Sequence, residues 1–185
     1  MMEEQLSDGE RRMHRAVDDL KKDLNTVRTG RASPSILDNV TVEYYGAPTG
    51  LNGLAQISVA DARQLVIQPY DRSSIGAIEK AIQKADLGMT PTNDGQVIRL
   101  NIPPLTEQRR KDLVKTVHRM VEEHKVAVRN GRRDVADKLK AAEKDKTASA
   151  DEIKRAQDRL QKITDRIIGE LDSVGRHKES DIMAV

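Results

Sequence analysis

Lys111, Lys115, His118, Glu122, Lys125, Arg129 and Arg132 follow one another at spacings of 4, 3, 4, 3, 4 and 3, with Arg133 beside the last. On a helix that spacing makes one stripe, cationic except for a single glutamate. A cationic line on a rigid rod matches the linear phosphate array of a nucleic-acid backbone. Arginine adds a planar fork that can donate two hydrogen bonds to one phosphate. A solvated helix face has the same look, so spacing alone leaves both readings open. Proteins that hold single strands stack bases on aromatic rings. Here there are three Tyr and no Trp or Phe, and the basic segment has no aromatic at all. A nucleic acid on this stripe would be a structured RNA, met through phosphates and shape.

Other chemistry is thinly supplied. His14, His118, His124 and His177 form no HxxxH or HExxH pattern. His124 falls in an apolar register, which suits a core-edge histidine better than a base. There is no GxxxxGK[ST] loop, no GxGxxG and no GxSxG. Asn93-Asp94-Gly95 reads as a turn, not a metal loop. No cofactor, metal site or catalytic residue is expected, and the chain does not read as an enzyme.

The elements that must carry the stripe follow from apolar periodicity. From about residue 6 to Arg28, Met13, Val17, Leu20, Leu24 and Val27 mark one helical face. Gly30 supplies a stop and Pro34 forbids simple continuation. Residues 40–102 are β-rich: Val40–Tyr44, Leu65–Ile67 and Val97–Ile102 read as strands, with a helix at about 74–84. Tyr44 and Tyr45 fall within the first strand, and core or edge packing is expected of both. After Pro103-Pro104, Thr106 can cap a helix running to about 144. Its apolar face reads Leu113, Val117, Met120, His124, Val128, Gly131, Val135, Leu139 and Ala142. Ser149 and Glu152 form a capping box for a last helix carrying Ile153, Ala156, Leu160, Ile163, Ile167, Leu171 and Val174.

No one of these helices can hide its own stripe, so three must bury theirs together. The expected architecture is α+β. Residues 1–30 plus 105–185 form an antiparallel three-helix bundle. Residues 31–104 form a β/α/β domain inserted through two crossings that act as a hinge, at Gly30-Arg31-Ala32 and Pro103-Pro104. At 1.5 Å per residue the long helices span roughly 50–55 Å.

The 185 residues carry 32 basic and 30 acidic side chains, a formal charge of +2. The balance is uneven: residues 105–142 hold 11 basic and 6 acidic residues, net +5, while 1–30 and 31–104 are each net −1. There is no cysteine, hence no disulfide framework. No apolar run approaches the roughly 18 residues of a membrane span. A cytoplasmic monomer is expected.

Certain words in the chain then stand out. Val27-Arg28-Thr29-Gly30-Arg31-Ala32-Ser33-Pro34 resembles the helix-to-insert junction of bacterial ribosome recycling factors. Val42-Glu43-Tyr44-Tyr45-Gly46-Ala47-Pro48-Thr49 resembles their first strand and turn. Ile78-Glu79-Lys80-Ala81-Ile82, with Asp86-Leu87-Gly88, resembles their inserted helix and the following loop. Ile102-Pro103-Pro104-Leu105-Thr106-Glu107 is similar to their second junction. Val128-Arg129-Asn130 and Arg132-Arg133-Asp134 resemble the signature of their second helix.

The resemblance implies an L-shaped, tRNA-like molecule with a flexible elbow. It implies a translation factor that binds the post-termination 70S ribosome and, with elongation factor G and GTP, splits it for reuse. It implies contacts to large-subunit ribosomal RNA by Arg129 and Arg132, by Arg28 and Arg31 at the junction, and by Arg133. Lys111, Lys115 and Lys125 would extend that face. The alternative is a coiled-coil adaptor whose stripe is only solvated surface.

Three residues depart from the family pattern. Gly50 and Gly53 stand where proline and glutamine are common, which should loosen the tip of the insert. Gly131 stands where valine or isoleucine is usual. A local weak point is expected there, beside Arg129 and Arg132, with Gly131→Ile raising the unfolding midpoint.

Overall fold

The computed structural model describes residues 1–184. Its helices are α1 (Met2–Asn25), α2 (Ile75–Lys84), α3 (Glu107–Lys144) and α4 (Ala150–Met183). Its strands are β1 (Thr41–Tyr44), β2 (Ala47–Gly50), β3 (Ala55–Asp61), β4 (Gln64–Pro69), β5 (Pro91–Asn93) and β6 (Ile98–Asn101). The chain divides into two compact units: Met1–Val27 with the segment from Gln108 onward, and Arg28–Glu107.

In the first unit α1, α3 and α4 bury their apolar stripes on one another. Leu6, Met13, Val17, Leu20 and Leu24 of α1 meet Val117, Val128, Val135 and Leu139 of α3 and Ile153, Leu160, Ile167 and Leu171 of α4, all buried. Ion pairs set the directions. Glu3 meets Arg159, Glu10 meets Arg166 and His14 meets Glu170, so α1 and α4 run the same way. Arg12 meets Asp134 and Asp23 meets His124, so α3 runs opposite to both. The stripe on α3 differs from the expected one by a residue: Val121 is buried, whereas Met120 is only partly so.

Two glycines bring backbones close. A Cβ on Gly9 would meet Val135 Cγ2 at 2.5 Å, and one on Gly175 would meet Val121 Cγ2 at 2.6 Å. Gly131 is also buried, facing α1. A Cβ there would meet Met13 Cγ at 3.2 Å, and Met13 is 1% exposed. The expected gain from Gly131→Ile is therefore corrected: a side chain there must first push the buried Met13 aside.

The expected capping box is present. Ser149 Oγ accepts from the Glu152 N–H at 3.2 Å, and the Ser149 N–H donates to the Glu152 carboxylate at 2.8 Å. The Ser149 N–H and then the Ser149 hydroxyl, both donating to the carboxylate, hold Glu152 below the usual glutamate range. α1 stops at Asn25, with the Thr26 hydroxyl donating to the Asp23 carbonyl at 2.6 Å.

The second unit has more strands than the periodicity suggested. β1 and β2 make a hairpin, and β3-β4-β6-β5 make a four-stranded antiparallel sheet. Leu65, Ile67, Ile78, Ile82, Ile98 and Leu100 form the centre of its core. β3 escaped notice because its outer half is exposed on both faces, including Val59. β2 contains Pro48 and Gly50, poor strand formers, and β5 is only three residues. Tyr45 and Gly46 are the two-residue turn of the first hairpin, with φ of 49° and 78°. Both values are positive, as a type I′ hairpin turn requires. Tyr45 is thus not a packed strand residue but an exposed turn residue, 84% accessible. Tyr44 is half-buried, and its hydroxyl donates to Asp71 at 3.1 Å.

Candidate nucleic-acid interface

The basic stripe lies along α3, and α4 divides it into two stretches. In the stretch nearer the start of α3, acidic residues of α4 answer the cations. Lys125 Nζ sits 2.6 Å from Asp172 and 3.4 Å from Glu122 on its own helix. Its hydrogen bond to Asp172 raises its pKa above the ordinary lysine value. His118 Nε2 lies 3.1 Å from Glu179. Lys125 is only 13% exposed at its side chain. It is a strut between α3 and α4, not an outward cation, and this corrects its place on the expected face. Lys111 and Lys115 remain exposed on the surface of α3.

Beyond Lys125 the pattern changes. Arg129, Arg132 and Arg133 are exposed, and among the described residues no carboxylate pairs with them. On α4 the polar residues beside this stretch are Gln157, Asp158 and Gln161, and Asp158 forms no ion pair with the arginines among the described residues. The acid next in sequence, Asp134, is occupied: Arg12 of α1 holds it at 2.6 Å. The three arginines thus keep their hydrogen-bonding forks free along one face. Lys140 continues that face, two helical turns beyond Arg133, and also lacks a carboxylate partner. It was missed because Ala136 interrupts the 3–4 rhythm.

Arg28 and Arg31 belong to the second unit. The Arg28 guanidinium donates to the Leu87 carbonyl, which ties it to the loop after α2. Arg31 is exposed. The five junction residues Gly30, Arg31, Ala32, Pro103 and Pro104 also fall within this unit. The Ala32 N–H donates to the Ala62 carbonyl at 2.8 Å, and the Ile102 N–H to the Arg63 carbonyl at 2.7 Å. Both crossings are therefore clipped to the β3–β4 turn. Gly30 has φ +77°, and a Cβ there would meet Leu105 Cγ at 3.1 Å.

The remaining candidate groups have structural work. His124 Nε2 lies 2.8 Å from Asp23 at the core edge. In Asn93-Asp94-Gly95, Asn93 Oδ1 accepts from the Gly95 N–H, while Asp94 accepts from the N–H groups of Gln96 and Val97. The Val97 and Gln96 bonds hold Asp94 below the usual aspartate range, as in a closed turn. Among the described residues no cluster of His, Cys, Asp or Glu could hold a metal ion. Among the described residues no helix is long and apolar enough to cross a membrane.

Comparison with known proteins adds identity to this geometry. The family model described as ribosome recycling factor matches residues 20–183. The ribosome-recycling factor of Halalkalibacterium halodurans is 55% identical over 185 residues, covering 100% of both chains. That of Bacillus subtilis is 54% identical over the same span and coverage. A solution structure of a ribosome recycling factor superposes with TM-score 0.78 at 41% identity, covering 100% of this chain and 98% of the other. The Thermus thermophilus factor, in a structure with Escherichia coli elongation factor G bound to the E. coli post-termination complex, gives TM-score 0.66 at 44% identity, with 100% of each chain covered. Full-length identity above one half, on a chain whose free arginines sit in the second-helix signature, places this chain in the ribosome recycling factor family.

Proposed function

We propose that this chain binds the post-termination ribosome in the cytoplasm through large-subunit ribosomal RNA and, with elongation factor G and GTP hydrolysis, splits it so that it can be reused. The chain itself makes and breaks no covalent bond; hydrolysis belongs to elongation factor G. The observation that carries the RNA contact is the set of unpaired arginines, Arg129, Arg132 and Arg133, on one face of α3. Several other surface arginines of the bundle, Arg11, Arg12, Arg159 and Arg166, are paired with carboxylates. Leaving three forks free side by side, with the acid next in sequence held by Arg12, suits a partner made of phosphate. A coiled-coil adaptor would have no use for them.

Arg28 and Arg31 would add contacts from the junction, with Arg28 fixed in direction by Leu87. The hinge expected at Gly30-Arg31-Ala32 and Pro103-Pro104 would narrow to Gly30-Arg31 and Pro103-Pro104, because Ala32 and Ile102 are clipped to the β3–β4 turn.

The test is to mix the protein with post-termination polysomes, elongation factor G and GTP and to follow their breakdown. Acceleration over elongation factor G alone is expected, and its absence would overturn the reading. Arg132→Ala should weaken ribosome binding at least several-fold and lower the salt slope by about one.

A further inference from the structure

An open groove of about 450 Å³ runs between α3 and α4 beside the free arginines. Its α3 wall presents Arg132, Arg133 and Lys140 with one carboxylate, Asp137, and its α4 wall presents Gln157, Asp158 and Gln161. The two walls differ in chemistry. The cations only donate hydrogen bonds; the carboxylates only accept them; the amides do both. Gln157 is half-buried and has no hydrogen-bond partner among the described residues, whereas Gln161 spends its amide N–H on Asp165 at 2.8 Å. Asp158 is exposed and pairs with none of the groove's cations, although three of them share the groove with it.

A free phosphate has no use for the α4 wall, because Asp158 repels it. An RNA strand fits both walls. Its phosphates accept from the cations of α3. Its ribose 2′-hydroxyl, both donor and acceptor, can donate to Asp158 and accept from the Gln157 amide. We propose that this groove seats a stretch of RNA backbone, with phosphates on α3 and 2′-hydroxyls read by Gln157 and Asp158 on α4, so that it distinguishes ribose from other sugars. This rests on the ribosomal-RNA reading above and extends it to a second helix.

The experiment measures binding of the full chain to a short RNA hairpin and to the same hairpin with 2′-fluoro sugars. Fluorine preserves A-form pucker and every phosphate but removes the hydroxyl donor. The wild type should prefer the ribose hairpin by about 3- to 10-fold, the worth of one or two hydrogen bonds. Gln157→Ala/Asp158→Ala should bring that ratio close to one. Using the ratio cancels the general gain in affinity from deleting a negative charge. Both positions lie on the surface of a long helix, where alanine is well tolerated.

Arg132→Ala should weaken both probes equally and leave the ratio intact. If the wild type shows no preference, or the double variant keeps it, the groove proposal is overturned while the RNA reading stands. If Arg132→Ala binds hairpins and ribosomes as the wild type does, the RNA reading itself fails.

Discussion

Arg12 shows how much a single residue decides on this surface. Its pairing with Asp134 takes up the one carboxylate adjacent in sequence to the arginine pair. The residue types of the stripe were legible from spacing. Their state was not, because pairing depends on what α4 places opposite: Asp172 within 2.6 Å of Lys125, but two amides and an Asp158 that pairs with none of them beside the arginines. Gly131 teaches the same lesson from the apolar side. Its register marked it as core, but the occupant of the space, Met13, sits more than a hundred residues away in sequence. Gly131→Ile must displace a buried methionine, and overpacking costs about 1–3 kcal/mol. The expected result is a lower unfolding midpoint by calorimetry. Gly131→Ala should sit near the wild type, because its gain of about 1 kcal/mol in helix propensity is offset by the tight contact.

At the scale of elements, the helices were readable because 3.6-residue periodicity persists over long stretches and the caps are local. The capping box at Ser149–Glu152 needs only four residues to be recognised. It also has a pH signature. Glu152 is held below its ordinary value of 4.5 by Ser149, so its stabilisation is present above that value and fades as pH falls through the lower folded one. Glu152→Gln, which keeps a hydrogen-bonding side chain but not the charge, should melt below the wild type at pH 7. The gap should close in acid; a gap that stays constant to low pH would show that the charge is not what matters.

The strands were harder, since β2, β3 and β5 are short or exposed and owe their existence to neighbours in the sheet. Close approach between helices was also invisible in sequence. Gly175 could be read as an ordinary surface glycine, but it admits Val121 to within a Cβ's contact distance. Gly175→Ala should therefore destabilise by about 1–3 kcal/mol despite alanine's better propensity. Val121→Ala in the same chain should recover part of the loss, measured as non-additivity in denaturant unfolding.

For the molecule as a whole, composition misled until it was partitioned. A formal charge of +2 suggests no partner, while a helix with three unpaired arginines and Lys140 suggests one made of phosphate. The division into two units was legible from the change of period near residues 30 and 104. Their boundaries at 27/28 and 107/108 lie a few residues further out, because Ala32 and Ile102 are clipped to the β3–β4 turn, a contact no local pattern announces. The distribution of aromatic rings has a consequence of a different kind. Tyr44, Tyr45 and Tyr70 are the chain's only aromatic side chains besides histidine, and all three lie in the Arg28–Glu107 unit. Ultraviolet emission from this protein is therefore a private channel: tyrosine fluorescence follows the inserted unit alone, while far-ultraviolet dichroism is dominated by the three long helices. The two units can be watched melting separately in one cuvette, with no label attached.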